Sequence, residues 1–366
     1  MKFKTFVILF LISGVLPDVW LLLGSASDFP LWAKTALCVP TLVTFSCIPF
    51  IGFGIRYTAA VRVFSWFSFL FELPKLLACF AGRSIWAAGI GAAVSLTFFF
   101  LIFFFSRHLV VKTTQICIPS LPKDMDGMKI CQISDLHVGS FGKAQRYVRR
   151  IVEKVLSLSP ELILFTGDLV NFSTSEVEPF RETLSRLKAP MGVFSVRGNH
   201  DYLLHGHHSE AERLADVEAL LAFEESLGWT VLRNQNVLLR RGEAAFSVAG
   251  VDNVSSNPFF KDTGGNLTRA VEGIPADVFT ILLSHDPSHW RREILPHTSI
   301  PLTLSGHTHG LPLKLAGTNP SHWRLRESWG LYEQDGRYLY VSRGLGSAFA
   351  FRLGSFPSID LIILKR

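Results

Sequence analysis

The chain has 366 residues, of which 48% are hydrophobic and only 18% charged, with a mean hydropathy of +0.31 and a net charge of +6. Soluble domains average about 25% charged residues, so part of this chain is built for a non-aqueous surrounding, and a largely disordered protein is excluded. Residues 1–110 hold 18 of the 31 Phe, with 8 Lys+Arg against 3 Asp+Glu, whereas residues 111–366 are nearly balanced, 28 against 27. The positive excess therefore reads as charge flanking membrane spans, and no nucleic-acid partner is expected.

Four apolar stretches come first, at 5–23, 36–54, 63–81 and 85–105. Each approaches the ~20 residues a helix needs to cross a bilayer, so a bundle of about four transmembrane helices is predicted. An inner N-terminus puts Lys2, Lys4, Arg56, Arg62, Arg107 and Lys112 on the inner side, against Lys34 and Arg83 outside. That bias predicts a multi-pass membrane protein, in contact with bilayer lipid, whose remaining domain faces the cytoplasm. Met1–Ser27 also has the outline of a signal peptide, but Asp18 and the apolar residues on both sides of Pro17 argue against cleavage. Glu72 and Lys75 interrupt the third stretch with Pro74 between them. Spacing i,i+3 lets them pair on one helical face, a reading favoured over a surface for lipid head groups. The five cysteines, Cys38, Cys47, Cys79, Cys117 and Cys131, lack zinc or redox spacing and read as buried thiols.

From residue 112 the pattern changes to short apolar runs that end in polar residues. Lys129–Ile133 runs into Ser-Asp-Leu-His-Val-Gly, Glu161–Phe165 into Thr-Gly-Asp-Leu-Val-Asn, and Val193–Val196 into Arg-Gly-Asn-His-Asp. Phe279–Leu283 precedes Ser-His-Asp, and Leu302–Leu304 precedes Ser-Gly-His-Thr-His-Gly. Helices are predicted over 143–157, 175–188 and 211–227, and further strands over 231–239, 246–251, 338–342 and 359–364. This is a layered α/β pattern with mixed sheets.

The polar clusters fall at the carboxyl ends of strands, where open α/β sheets place ligands. They offer Asp135, His137, Asp168, Asn199, His200, His285, His307 and His309. In extended chain the pairs 135/137 and 307/309 would each project to one side. Gly167, Gly198, Gly306 and Gly310 flank the clusters and permit tight turns. Carboxylate, amide oxygen and imidazole without thiolate suit Mn, Fe, Zn or Ni more than a structural zinc. Seven donors, with His200 set aside, exceed what one ion needs, whereas two ions sharing one carboxylate would use them all. Two aspartates against two divalent ions leave a positive site, which attracts phosphate and clamps attacking and leaving oxygens.

The five blocks Asp135-Leu-His137, Gly167-Asp168, Gly198-Asn-His-Asp201, Ser284-His285 and Gly306-His-Thr-His309 resemble those of the calcineurin-like metallophosphoesterases, over roughly residues 128–366. The resemblance implies a four-layer αββα sandwich over 111–366, preceded by the transmembrane helical region over 1–110. It implies two divalent metal ions (Mn, Fe or Zn). By the resemblance, one would be held by Asp135, His137, Asp168 and His309, the other by Asp168, Asn199, His285 and His307, with Asp168 bridging. His200 would be the non-ligand acid or the stabiliser of the phosphate. Asp201 would orient His200 or cap a helix. The tail, Val341–Gly346 with Phe351–Gly354, resembles the membrane-associated bacterial branch, and Arg343 and Arg352 are candidate phosphate contacts or else solvated loop arginines. His205, His207 and His208 read as a solvated loop, a substrate rim or an adventitious metal site. The function implied is a membrane-anchored hydrolase of phosphoester or pyrophosphate bonds acting on a phosphate-containing, amphiphilic substrate. Some cytoplasm-facing members of the family cleave UDP-2,3-diacylglucosamine to lipid X and UMP in lipid A synthesis. The alternatives are a general phosphodiesterase, a lipid phosphatase, or a non-catalytic sensor or scaffold whose metals serve folding.

Overall fold

A computed structural model describes residues 14–366 except 25, 28, 53–56, 81–84, 143, 204–208, 255–263, 311–325, 348–351 and 353–354. His205, His207 and His208 lie outside the described residues, as does the start of the first apolar stretch. The chain divides into two units, Met1–Phe104 with Phe349–Phe351, and Phe105–Ala348 with Arg352–Arg366.

The first unit is helical. Its elements are α1 (Leu16–Leu23), α2 (Leu31–Gly52), α3 (Tyr57–Phe67), α4 (Leu73–Phe80) and α5 (Ile85–Arg107), the last running on into the second unit. A π-helical turn, Ser68–Glu72, joins α3 to α4. Among the described residues one helical stretch, Leu31–Phe50, is long and apolar enough to cross a membrane, so the expectation of four spans is not supported. The described part of the first stretch is an eight-residue helix, far short of a bilayer core. The third is rewound by the π turn and carries two charges. Within α5 the apolar run is the shorter Ala93–Ser106.

Those two charges do not stand alone. Lys75 Nζ lies 2.7 Å from Asp18 Oδ1, 2.7 Å from Thr41 Oγ1 and 3.1 Å from Glu72 Oε2. The Thr41 hydroxyl is 3.2 Å from both Glu72 oxygens, and all four residues are buried. With Leu37 O at 3.4 Å, four acceptors surround the three ammonium donors of Lys75. The i,i+3 pair is therefore the centre of a cluster joining α1, α2, the π turn and α4, not a surface for lipid head groups.

Among the described residues the second unit has twelve strands. They are β1 (Val110–Cys117), β2 (Lys129–Ile133), β3 (Leu162–Phe165), β4 (Val193–Ser195), β5 (Thr230–Val231), β6 (Gln235–Arg241), β7 (Ala244–Gly250), β8 (Phe279–Leu283), β9 (Leu302–Ser305), β10 (Gly330–Gln334), β11 (Arg337–Val341) and β12 (Ser358–Lys365). One six-stranded sheet has the order β1-β12-β2-β3-β4-β5, the other β10-β11-β9-β8-β7-β6. Both are mixed: β2, β3, β4 and β5 run parallel in the first, and β7, β8, β9 and β11 in the second.

Three apolar cores fix the layering. Ile130, Leu164 and Phe194 of one sheet meet Phe246, Ile281 and Leu302 of the other in a central core. The far face of the first sheet packs on α6 (Gln145–Ser157) and α7 (Glu210–Ser226) through Val148, Ile151, Val155, Leu220 and Phe223. The far face of the second is covered by Leu267, Trp290 and Ile294 from helical turns. The order is helix, sheet, sheet, helix, so the mixed α/β architecture follows from where these apolar side chains find burial. In α6 the buried residues Val148, Ile151, Val152 and Val155 form one stripe. Ser209 starts α7 with a capping box to Glu212.

Some elements differ from expectation. The predicted helix over 175–188 is two 3-10 turns, Thr174–Glu176 and Glu178–Phe180, and one α-turn, Arg181–Leu184. Pro179 lacks the N–H that a continuous helix would use there. The predicted strand over 231–239 is split into β5 and β6, with Asn234 between them at φ 53°. β1 and β10 were not expected from the pattern; both are edge strands in which half-buried and exposed residues mix, so neither forms a continuous apolar run.

Candidate metal centre

Parallel strands deliver the polar residues to one end of the two sheets. Asp135 and His137 follow β2, Asp168 follows β3, Asn199 and His200 follow β4, His285 follows β8, and His307 and His309 follow β9. Gln132 Nε2 donates to Ser305 O at 2.9 Å, tying the end of β2 to the end of β9. Backbone bonds from Asp135 N to Gly167 O (2.8 Å) and from Gly306 N to His285 O (2.9 Å) stitch the loops pairwise.

Two glycines are required by the crowding. A Cβ on Gly198 would lie 2.1 Å from Asp168 Oδ1, and one on Gly167, at φ +93°, would lie 2.5 Å from Gly198 N. The side-chain-bearing residues take the strain instead. Asp135, His137, Asp168, His307 and His309 all adopt left-handed backbone, with φ of 49°, 46°, 60°, 71° and 54°. This corrects the expectation that the i,i+2 pairs grip one object because the chain is extended there. Asn199 is in right-handed helical backbone and His200 opens a 3-10 turn. Left-handed backbone costs about 1–2 kcal/mol per non-glycine residue. Five such residues at one place mark a site whose donors are over-determined by their surroundings.

Three groups of donors converge: Asp135, His137 and His309; Asp168, His285 and His307; and His137, Asp168 and His200, each with ligand atoms within 4.8 Å of one another. Asp168 Oδ2 is 3.5 Å from His137 Nε2 and 3.3 Å from His285 Nε2. His307 Nδ1 is 3.2 Å from His285 Nε2 and 2.9 Å from Asn199 Oδ1. His309 Nε2 is 3.8 Å from Asp135 Oδ1. Donors bound to one cation at about 2.1 Å, 90–110° apart, lie about 3.0–3.4 Å from each other; Asp168–His285 and His285–His307 have that spacing, and His307–Asn199 is slightly closer at 2.9 Å.

The residues present fit two cations on two further grounds. His137 Nδ1 meets Asn171 Oδ1 at 3.1 Å and His285 Nδ1 meets Thr166 O at 2.7 Å. Both oxygens accept only, so each Nδ1 carries hydrogen and each Nε2 points towards Asp168, the usual orientation behind a metal-binding imidazole. His137 Nε2 is buried and has no hydrogen-bond partner among the described residues. Burial also outweighs the nearby carboxylates at three imidazoles, lowering His307 and pushing His137 and His309 down to about 3, so these rings are neutral. Burial opposes charge on His285 too, but there Asp168 prevails and pushes it up to about 10. Burial would raise Asp168, yet His285, His200 and His137 hold it well below the ordinary carboxylate range.

The remaining sequence-derived residues are placed differently. His200 Nδ1 donates to Asn171 O at 2.8 Å, and its ring stands edge-on to His137 at 4.8 Å. Asp201 does not orient it. The Asp201 carboxylate accepts four backbone N–H groups, from Asp168 (2.7 Å), Leu169 (2.8 Å), Val170 (3.3 Å) and Gly198 (2.8 Å), and so braces two ligand loops against each other. Arg352 is buried among carbonyls of Gly346, Arg343 and His309, with Nη2 3.4 Å from His309 Nδ1. Arg343 is half-buried, its guanidinium 4.0 Å from the Trp329 ring centre.

Residues 128–311 match the family of calcineurin-like phosphoesterases, half of the chain. The chain belongs to that family. The matched span contains all eight of the converging donors. A cattle (Bos taurus) "transmembrane protein with metallophosphoesterase domain" is 31% identical over 70% of this chain and 57% of its own length. The Bacillus subtilis "uncharacterized metallophosphoesterase YkuE" is 30% identical over 71% of this chain and 89% of its own. The "UDP-2,3-diacylglucosamine pyrophosphatase LpxG" of Chlamydia muridarum is 26% identical over 77% and 97%. The chain thus spans little more than half of the cattle relative. Within the family frame, two residues that the sequence reading left unassigned stand out. Asn171 closes the Gly-Asp-Leu-Val-Asn block and holds both His137 and His200. Glu176 in turn accepts the N–H groups of Asn171 (2.7 Å) and Phe172 (3.2 Å). The signal for Asn171 was its place in that block, three residues after Asp168; nothing local marked Glu176.

Proposed function

We propose that this chain is a membrane-anchored, two-metal hydrolase of phosphoester or pyrophosphate bonds acting on a lipid-linked substrate, with its catalytic domain on the cytoplasmic face of the inner membrane. One observation carries the hydrolase reading: Asp168 lies between two sets of imidazole and oxygen donors, without a thiolate, where a bridging ligand would be. Asp135, His137, Asp168 and His309 would hold one ion, and Asp168, Asn199, His285 and His307 the other. Bound there, two divalent ions supply Lewis acidity and an activated water beside phosphorus. The chain's own groups orient and exchange protons. His200, tied by Nδ1 to Asn171 O, would give a proton to the leaving group. Asp201 acts indirectly, by holding the Asp168 and Gly198 loops in register. The apolar helix Leu31–Phe50, the relatives named as transmembrane proteins and the Chlamydia pyrophosphatase support an amphiphilic substrate, with UDP-2,3-diacylglucosamine the first to test.

The test uses detergent-purified full-length chain. Hydrolysis of bis-p-nitrophenyl phosphate with Mn²⁺ is expected, falling by at least about 100-fold in Asp168→Asn and His200→Ala. Equal rates in all three proteins would leave a metal-stabilised scaffold instead. Incubation with UDP-2,3-diacylglucosamine and a panel of lipid phosphates, with products identified by mass, then decides the substrate.

A further inference from the structure

The two arginines of the tail look alike in sequence but not in space. Arg352 has its guanidinium committed to backbone carbonyls. Arg343 does not: among the described residues no carboxylate lies within 4.0 Å of it. Its stem packs on Gly310, directly after His309, where an added Cβ would come within 3.0 Å of Arg343 Cγ. The following residue, Gly344, lies against Asp135, with an added Cβ 2.6 Å from the Asp135 Cβ. Trp329, under the guanidinium, is anchored from the same block, because the Thr308 hydroxyl donates to Ser328 O.

A second cation meets the same indole. Lys112 Nζ is 5.0 Å from the Trp329 ring centre and 5.5 Å from that of Tyr340. No carboxylate among the described residues lies within 4.0 Å of Lys112 either. Asp360, the acid facing it, is buried and accepts from Tyr340, Ser342 and Ser358 hydroxyls. Burial lowers the Lys112 pKa, Asp360 offsets part of that, and the Arg343 charge adds to it. Two half-buried cations that repel each other across one aromatic ring, beside metal-ligand loops, are matched by an anion.

We infer that Arg343, Lys112 and Trp329 form a subsite for a second, non-reacting phosphate of the substrate, so that the preferred class is diphosphate diesters rather than simple phosphodiesters. This rests on the hydrolase reading above and sharpens it. Arginine supplies paired donors to phosphate oxygens, the indole fixes its plane, and Lys112 adds a point charge. Arg352 is a positioning residue in this arrangement, holding the Arg343 carbonyl at 2.8 Å.

Calorimetric titration of the Mn²⁺-loaded full chain with UDP and with UMP tests it without relying on turnover. Wild type is expected to bind UDP at least about tenfold more tightly than UMP, and Arg343→Gln and Lys112→Gln to narrow that ratio by about tenfold, with Arg343→Lys recovering part. A ratio near one in wild type, or equal losses for both nucleotides in the variants, overturns the subsite. Repeating the titration in phosphatidylcholine nanodiscs with and without phosphatidylglycerol separates the sources of phosphate. UDP affinity independent of phosphatidylglycerol supports a substrate phosphate; affinity that falls with it in wild type but not in Arg343→Gln hands the subsite to a bilayer head group and overturns the assignment. Absence of bis-p-nitrophenyl phosphate hydrolysis, by contrast, removes the hydrolase reading alone.

Discussion

The Asn171 side chain holds His137 from behind, its Oδ1 3.1 Å from His137 Nδ1, while the opposite ring nitrogen faces Asp168. Asn171 is itself held, by Nδ2 on Ser140 Oγ at 3.0 Å and by its N–H on Glu176. Partners of this kind set the tautomer and the angle of a ligand ring. Asn171→Ala should therefore lower Mn²⁺ affinity by about 10- to 100-fold with the fold intact. Titration calorimetry on the detergent-solubilised chain measures this, and an affinity equal to wild type would show that His137 is oriented by packing alone.

Metal should also stabilise the second unit. Five left-handed non-glycine residues and several buried donors are held together at the centre, and a ligand that binds only the folded state adds RT ln(1 + [L]/Kd). At 100 times Kd this is about 2.7 kcal/mol. Chelator-treated protein is expected to melt at a lower temperature than protein with Mn²⁺, and Asp168→Asn should abolish most of the difference. A melting temperature indifferent to Mn²⁺ counts against these donors as a cation site.

Much of the centre was legible because each donor sits directly after an apolar run, and burial of such runs in parallel strands leaves the next residues at one edge. Lys129–Ile133, Leu162–Phe165 and Phe279–Leu283 carry that signal plainly. The reason for the donor pairing was misread, since nothing in Asp135-Leu-His137 announces left-handed backbone. Asp201 was read as a partner for its neighbour His200, yet its carboxylate reaches back 33 residues to Asp168 N; contacts at that separation belong to the tertiary fold. In the apolar unit, hydropathy alone counted four spans. The π turn at Ser68–Glu72 and the cluster around Lys75 depend on which helices meet, and a window average does not see that.

Glu224 makes a pH-dependent contribution away from the metal ligands. It is buried in α7 and accepts from Ser195 Oγ at 2.6 Å. Burial, reinforced by Asp201, pushes it up to about 8. The native state thus keeps a proton that the unfolded chain releases near the ordinary 4.5. Its stabilising effect is complete below that value and is lost as pH rises through about 8. Glu224→Gln, which keeps the shape without the charge, should flatten the fall in melting temperature between about pH 5 and 8.5 and gain on the order of 2 kcal/mol at the upper end. For a unit of this size that is about 4–8 °C. Parallel profiles for the two proteins would mean that Glu224 ionises without cost.

Lys75 is the keystone of the apolar unit. Its ammonium bonds Asp18 and Thr41 at 2.7 Å and pairs with Glu72 at 3.1 Å, so three separate helical segments meet on one charge. Removing only the cation leaves two buried carboxylates facing one another, whereas removing all three charges leaves none to solvate. Breaking a buried ion pair typically costs about 3–5 kcal/mol, but replacing the whole set by neutral groups is often tolerated. Lys75→Met should therefore sharply reduce the fraction of monodisperse protein that survives heating in detergent. The triple variant Asp18→Asn, Glu72→Gln, Lys75→Met should recover most of it. The measurement is size-exclusion chromatography after a temperature ramp. A single variant as heat-stable as wild type would show that the cluster does not hold these helices together, and a triple variant no better than the single one would assign the effect to lost packing of the lysine stem rather than to charge.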